Sequence, residues 1–153
     1  TWSVSRGDMV VLTRADGDKA FPSVYRKVAP YTDTIIKNIL RSRETVDLRG
    51  VKVAAFCGVG DPNSFSATLA ELEVKIIEFQ KFRDHHVYNE TDMNRLRKLA
   101  KEGNVDTLVT TEKDWVKLSG LKRKEDSIVP VPVDVVWLNG GKTLLRDALK
   151  RLF

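Results

Sequence analysis

Cysteine and histidine are scarce in this chain, which limits the chemistry open to it. The single cysteine, Cys57, excludes an internal disulfide and is typical of a reducing compartment. Only two residues, His85 and His86, have a side chain whose unperturbed pKa lies near neutrality. No apolar run reaches the roughly 18 residues that a membrane span needs, and no signal-peptide pattern opens the sequence. We therefore expect a cytosolic or cytosol-facing protein.

The composition is that of one soluble domain. The chain has 153 residues, of which 42% are hydrophobic and 31% are charged, enough for a core and an ordinary solvated surface. Its formal net charge of +5 favours anionic partners such as phosphorylated metabolites, acidic lipid headgroups or nucleic acid. The densest basic groups are not interleaved with aromatic side chains, as they are in a groove that binds single strands. We expect no nucleic-acid partner.

Apolar periodicity predicts an alternation of strands and helices that is clearest after residue 50. Strands are predicted at 8–14, 45–48, 52–56, 74–79, 106–109, 127–133 and 135–138, and helices around 35–40, 65–72, 92–102, 115–118 and 142–152. Strands separated by helices of this length imply right-handed crossovers and a mainly parallel sheet. The fold class predicted is α/β, a single three-layer domain over 1–153, with 1–50 as a weakly patterned lead-in and 51–153 as its core.

The loop that follows the strand at 52–56 is the first of three candidate binding loops, because ligands in open parallel sheets gather beyond the carboxyl ends of strands. Its glycines would let the backbone approach an anion at a helix N-terminus. It lacks the third glycine of a dinucleotide fingerprint, and a simple tight turn is the alternative. The candidate phosphate-binding residues here are Gly58, Gly60, Asp61 and Asn63.

A phosphate loop is absent from the sequence. The motif G-x-x-x-x-G-K-[ST] would need a glycine five positions before Gly141, where Val136 stands. Lys142 and Thr143 are more simply the first turn of the closing helix. No other stretch of the chain supplies the motif.

The second candidate loop, T-T-E-K-D at 110–114, lies where a strand ends and a helix begins. Thr110 or Thr111 can cap this helix, and Glu112 and Asp114 complement the positive end of its dipole. Lys113 opposes that dipole, so it could neutralise a phosphate brought by a ligand. Capping alone still explains most of this motif.

The third loop holds Asp84, His85 and His86. A metal site would need further ligands at suitable spacing, and the chain has no other histidine. A nucleophilic pair with Cys57 is another alternative, although that residue ends a buried strand. A histidine oriented by a carboxylate, which acts as a proton carrier or a phosphate contact, is the better functional interpretation. A purely structural loop is equally compatible with the composition.

The three loops together resemble the C-terminal half of the tetraacyldisaccharide 4'-kinase family. The blocks F-C-G-V-G-D-P-N-S-F at 56–65, F-R-D-H-H-V-Y at 82–88 and L-V-T-T-E-K-D-W-V-K-L at 108–118 are similar to the family's G-I-G-N-P-x-x-F, F-x-D-H-x-x-Y and T-E-K-D-x-V-K. Their order and spacing agree, and the resemblance covers roughly residues 8–133. It implies part of a P-loop-kinase-like fold that lacks the P-loop half.

This resemblance implies transfer of the ATP γ-phosphoryl group to the 4'-hydroxyl of a tetraacylated disaccharide 1-phosphate, a precursor of lipid A. The family's reaction takes place with Mg²⁺ at the cytoplasmic face of the bacterial inner membrane, so the full-length protein would make a peripheral membrane contact. The family's catalytic histidine falls on His85, with Asp84 as the matched carboxylate beside it. Thr111, Glu112, Lys113 and Asp114 match the third block as candidate substrate- or phosphate-binding residues.

The departures from the family pattern define the alternatives. The family's nucleotide- and metal-binding residues lie in an N-terminal half that this chain lacks, and Asp61 replaces the usual asparagine. Either the chain is a fragment of a kinase, or it is a non-catalytic phosphate- or ligand-binding α/β module that retains the fold. A metal-dependent phosphoesterase that uses Asp84, His85 and His86 ranks third. We expect no tightly bound cofactor, no resident metal and no lipid phosphorylation by this chain alone.

Overall fold

The computed structural model describes residues 7–15, 21–43, 47–105 and 107–151. Its contacts divide the chain into two compact units, residues 1–41 with 134–153 and residues 42–133. Whether the two units make up the single domain predicted from the sequence stays a prediction.

The described residues contain seven strands, five helices and one short 3₁₀ turn. In chain order they are β1 (Val10–Leu12), α1 (Phe21–Val28), the 3₁₀ turn (Ala29–Tyr31), β2 (Ile35–Ser42), β3 (Lys52–Cys57), α2 (Pro62–Glu71), β4 (Lys75–Lys81), α3 (Glu90–Glu102), β5 (Thr107–Thr111), α4 (Glu112–Lys117), β6 (Ile128–Val131), β7 (Val133–Leu138) and α5 (Gly141–Lys150). The helix predicted at 142–152 is confirmed as α5, so Lys142 and Thr143 do lie in its first turn.

The first unit is built on a three-stranded sheet in the order β1-β2-β7. The helix predicted around 35–40 is wrong, because these residues form β2, which pairs in parallel with β1 from Val10 opposite Ile35 onward. The β-branched isoleucines of this segment favour extended backbone, and the ladder offered by β1 satisfies their peptide groups. The strand predicted at 45–48 lies partly outside the described residues, and Asp47 and Leu48 are not in a strand.

The second unit contains a four-stranded sheet in the order β4-β3-β5-β6, and all its neighbouring strands are parallel. The α/β class, the three layers and the mainly parallel sheet are therefore confirmed. Side chains of β3 alternate between the two faces, as the twofold period of a strand requires. Val53, Ala55 and Cys57 pack on the face covered by α2, while Ala54 and Phe56 pack on the face covered by α3 and α4.

Each face of the β3-containing sheet carries its own apolar core. One is formed by Leu48, Val53, Ala55, Cys57, Phe65, Leu69, Val109 and Val131. The other is formed by Ala54, Phe56, Tyr88, Met93, Leu96, Leu108, Leu118 and Ile128. Because β3 is buried on both faces, it reads in the sequence as a continuous apolar run rather than an alternating one.

The helix α3 begins at a capping box and is fastened by a buried ion pair. Asn89 accepts from the Asp92 N–H while Asp92 accepts from the Asn89 N–H, so two backbone N–H groups at the helix start are satisfied. Further along, Arg97 donates from Nε and Nη2 to the two oxygens of Asp126, each at 2.8 Å. The Asp126 side chain is only 4% exposed, and Arg97 also donates to the Leu121 carbonyl. This pair ties α3 to the loop before β6.

Replacing Asp126 with asparagine is expected to lower the free energy of unfolding by about 2 kcal/mol, because the Arg97 guanidinium then lies partly buried without its carboxylate. Urea unfolding followed by circular dichroism measures this loss. The control is Glu102→Ala, which removes an exposed ion pair with Lys98 at 3.6 Å and is expected to cost under about 0.5 kcal/mol. Equal losses in the two variants would contradict the role of the pair.

The same ion pair predicts that the second unit becomes less stable at acidic pH. Hydrogen bonds from Arg97, acting against partial burial, hold the pKa of the Asp126 carboxyl below its ordinary value. A carboxyl with a lowered folded-state pKa contributes stability above its unfolded pKa of about 3.9 and loses it as the pH falls through the folded value. The free energy of unfolding should therefore decline below about pH 4. In Asp126→Asn this decline should be shallower, which urea titrations from neutral to acidic pH would test.

Candidate functional site

The three candidate loops meet at one edge of the four-stranded sheet. Strands β3, β4 and β5 are adjacent and parallel, and they end at Cys57, Lys81 and Thr111. Parallel strands place their carboxyl ends together, so the loops that follow them share an edge. The sequence motifs at 58–63, 82–88 and 110–114 are thus brought together by the topology.

The centre of this edge is a buried carboxylate, that of Asp114. Its side chain is 0% exposed, and its oxygens accept hydrogen bonds from other groups of the protein. Oδ2 accepts from the Gly58 N–H at 2.9 Å and from the Thr111 hydroxyl at 2.8 Å, while Oδ1 accepts from Lys117 Nζ at 2.8 Å. Thr111 also caps α4 by accepting from the Asp114 N–H at 3.1 Å. The loop after β3 is therefore joined directly to the first turn of α4.

Asp114 is ionised despite its burial. Burial by itself would raise the pKa of this carboxyl, but hydrogen bonds from Lys117, the Gly58 N–H and Thr111, with the charge of Lys117, hold the pKa below its ordinary value. Tyr88 packs beside this cluster, and its buried hydroxyl has no hydrogen-bond partner among the described residues. Burial, followed by the nearby charge of Asp114, raises the pKa of Tyr88, so the phenol stays protonated.

The two histidines have different roles in the structure. His86 Nε2 lies 2.9 Å from Asp92 Oδ2, and its ring stacks on Phe82 with centroids 4.5 Å apart. It also packs edge-on against Tyr88. His86 therefore holds the loop after β4 to the start of α3 as a packed structural residue, and it does not join Asp84 and His85 in a metal site. Among the described residues, no group of three His, Cys, Asp or Glu side chains could hold a metal ion.

His85 lies at the exposed tip of the same loop. Its side chain is 76% exposed, and Nε2 lies 3.9 Å from Asp84 Oδ2. Its backbone has a φ of 56°, a left-handed conformation that is uncommon for residues other than glycine, although histidine adopts it more often than most. The His85 N–H donates to Asp84 Oδ1 at 3.0 Å, which supports this turn. The loop thus presents an imidazole to solvent beside a carboxylate.

Asp84 is the meeting point of the three loops. Its carboxylate is 46% exposed and lies 3.9 Å from Lys113 Nζ of α4. A Cβ atom added to Gly60 would lie 3.1 Å from Asp84 Oδ2, so the loop after β3 also lies next to this side chain. Asp84, His85, Lys113 and Gly60 form the solvent-facing surface of the edge.

Other predicted site residues lie at the helix starts. Asp61 caps α2 by accepting from the Ser64 N–H at 3.3 Å, and Asn63 accepts from Lys81 Nζ at 3.4 Å. Glu112 is exposed in the first turn of α4. The Gly58 N–H was expected to face a bound anion, but it donates to the protein's own Asp114 carboxylate.

Cys57 takes no part in a nucleophilic pair. The residue is 0% exposed within the apolar core, and burial, with the charge of Asp114 second, raises the pKa of its thiol to about 11. A thiol with this pKa carries almost no thiolate near neutrality.

Two residues of the site were missed by reasoning from the residues one at a time. Lys117 pairs with Asp114 three positions earlier on α4, a spacing that places both side chains on one side of a helix. Tyr88 reaches back under the loop after β3, and its ring lies 6.0 Å from Lys117 Nζ. The helical spacing could have indicated Lys117. Both residues are also fixed positions of the family blocks, Tyr88 the last of F-x-D-H-x-x-Y and Lys117 the last of T-E-K-D-x-V-K.

An all-parallel sheet with helices on both faces defines a domain of the three-layer α/β class. The family model described as "Tetraacyldisaccharide-1-P 4'-kinase" matches residues 1–152, and the chain belongs to this family. The resemblance found in the three sequence blocks is therefore confirmed.

Curated relatives agree with this family. A tetraacyldisaccharide 4'-kinase from Afipia carboxidovorans is 45% identical over 106 residues, which are 67% of this chain and 31% of the relative. One from Desulfatibacillum aliphaticivorans is 36% identical over 131 residues, 76% of this chain and 35% of the relative. One from Halothermothrix orenii is 39% identical over 98 residues, 63% of this chain and 26% of the relative. The chain thus spans between a quarter and about a third of these relatives. No solved structure matches it significantly.

The two glycines of the loop after β3 provide a test of this packing. A Cβ on Gly58 would lie 3.1 Å from His86 Cβ, 3.2 Å from the Arg83 carbonyl oxygen and 3.3 Å from the Tyr88 hydroxyl. Gly58→Ala is expected to lower the free energy of unfolding by about 1–3 kcal/mol, since backbone cannot yield easily.

The matched variant is Gly60→Ala, whose Cβ would meet only the half-exposed Asp84 side chain. Here the expected loss is within about 0.5 kcal/mol, because that side chain can move into solvent. Urea unfolding of both variants gives the comparison. A Gly58→Ala protein as stable as Gly60→Ala would contradict the described packing.

Proposed function

We propose that this chain is the part of a tetraacyldisaccharide 4'-kinase that receives the acceptor hydroxyl, in a longer protein that phosphorylates the lipid A precursor. Family membership and the names of the relatives support the reaction class. The single observation that carries the proposal is the exposed Asp84–His85 pair at the carboxyl edge of the sheet, beside Lys113. The substrate class is an acylated disaccharide 1-phosphate, with its 4'-hydroxyl as acceptor.

Phosphoryl transfer to a hydroxyl requires removal of the hydroxyl proton and stabilisation of the charge on the moving phosphoryl group. His85 can accept the proton, because its imidazole is solvent-facing and no strong hydrogen bond occupies it among the described residues. The Asp84 carboxylate, 3.9 Å away, would stabilise the imidazolium that results. Lys113 is half exposed and could turn from Asp84 toward an incoming phosphate.

ATP and Mg²⁺ do not fit the residues described here. The sequence has no phosphate loop, and the described residues offer no cluster of three metal-binding side chains. We therefore assign both groups to the N-terminal P-loop half of the longer protein and derive no step of the reaction through them. On this proposal the present chain supplies the acceptor side of the reaction.

The acylated substrate supports a peripheral location at the cytoplasmic face of the bacterial inner membrane. None of the helices among the described residues is long and apolar enough to cross a membrane. On this proposal the kinase would approach the sugar headgroup of its acylated substrate from the membrane surface. The basic formal charge of +5 is compatible with an anionic bilayer surface.

Replacing His85 with glycine tests this role without harming the fold. Glycine relieves the left-handed backbone, so the free energy of unfolding should stay constant or rise by about 1 kcal/mol. Loss of the proton acceptor should lower kcat for the lipid acceptor in the longer protein by about 100-fold or more. Initial rates with ATP and tetraacyldisaccharide 1-phosphate measure the effect.

The matched control is Asn104→Gly. Asn104 has a φ of 46° and lies after α3, in the turn that precedes β5 and so at the opposite edge of the sheet. This variant also places glycine at a left-handed position, but away from the site. Its kcat should therefore match that of the unchanged protein. Unaltered turnover in His85→Gly would remove His85 from the mechanism. Absence of turnover in the unchanged longer protein would instead favour the alternative of a non-catalytic ligand-binding module.

A further inference from the structure

The buried carboxylate of Asp114 has no access to a substrate. Its side chain is 0% exposed, and both oxygens are occupied by protein donors. Burying a charge is costly unless it is paired and hydrogen-bonded, and here one ammonium, one hydroxyl and one backbone N–H offset that cost. The role of this carboxylate is therefore structural, because its hydrogen bonds hold the loop after β3 against α4.

What Asp114 joins are the two elements that touch Asp84. On one side it accepts from the Gly58 N–H, two residues before Gly60, which lies next to the Asp84 carboxylate. On the other it belongs to the first turn of α4, directly after Lys113, whose ammonium lies 3.9 Å from Asp84. Both neighbours of Asp84 are therefore close in sequence to this hydrogen bond. Lys113 directly precedes Asp114, and Gly60 follows Gly58 by two positions.

We propose that Asp114 is a positioning residue, which sets the separation between Lys113 and the Asp84–His85 loop by fastening the loop after β3 to α4. Lys117 keeps its charge compensated, since its Nζ lies 2.8 Å from Oδ1 on the same helix. Tyr88 packs against this cluster, with its hydroxyl beside Gly58. This role rests on the proposed function only for its effect on catalysis. The mechanical link itself is independent of any reaction.

Asp114→Asn removes the charge at nearly constant size. An amide presents one oxygen in place of two, and its NH₂ group cannot accept from either Gly58 or Lys117. In this chain we expect the Gly58 amide to exchange with solvent at least about tenfold faster, as measured by hydrogen-exchange NMR. In the longer protein we expect kcat to fall by at least about tenfold, while KM for ATP stays within about twofold.

The matched control is Asp126→Asn. It also removes a buried, ion-paired carboxylate from the second unit, but Asp126 lies in the loop before β6, at the opposite edge of the sheet. The value of kcat is compared at a temperature where unfolding is negligible, and Gly58 exchange is taken relative to that of the Val53 amide in β3, which corrects for the loss of global stability expected in both variants. The control should leave Gly58 exchange and kcat within about twofold of the unchanged protein.

Three results would overturn the positioning role. These are unchanged Gly58 exchange in Asp114→Asn, unchanged kcat in that variant, or an equal fall of kcat in Asp114→Asn and Asp126→Asn. Absence of kinase activity in the longer protein with Asp114 intact would instead reject the proposed function. In that case the exchange rate of Gly58 still decides whether Asp114 fastens the two elements.

Discussion

The hydrogen bond from the Gly58 N–H to the Asp114 carboxylate is the contact on which the candidate site depends. It joins two residues 56 positions apart, one just beyond the end of β3 and the other in the first turn after β5. Without it, the loop after β3 and the helix α4 would be connected mainly through the pairing of strands β3 and β5. An ionised group is well suited to this task, because a buried charge accepts stronger hydrogen bonds than a neutral one and tolerates little displacement of its donors.

Around this contact the structure divides the polar residues of the edge into a buried and an exposed set. His86 and Asp114 are enclosed and bonded to protein partners, and they give the loops one conformation. Asp84, His85 and Lys113 project into solvent with ion-pair distances of 3.9 Å, too long for firm hydrogen bonds. Rigid support beneath a loosely paired surface is what a site needs if its outer groups are to exchange partners when a substrate arrives.

Much of the second unit could be predicted from its sequence. The buried run of β3 and the apolar spacing of α2 and α3 are local patterns, and Asn89 is a local capping signal. The segment that became β2 could not be predicted in this way. Its isoleucines fit a helical face and a strand equally well, and a partner strand more than twenty residues earlier decided between them. Asp114 was likewise predicted as a binding residue, since nothing local shows that its side chain is enclosed.

The sequence by itself determined the α/β class and the three blocks that resemble the tetraacyldisaccharide 4'-kinase family, because both follow from residue order and spacing along the chain. The resemblance, in turn, implies His85 as the candidate proton acceptor. Only the tertiary structure decided which of the two histidines is exposed and which carboxylate is buried. Burial depends on packing between elements distant in sequence, here β3, α4 and the loop after β4. It is this packing that separates a residue facing a substrate from one that holds the site together.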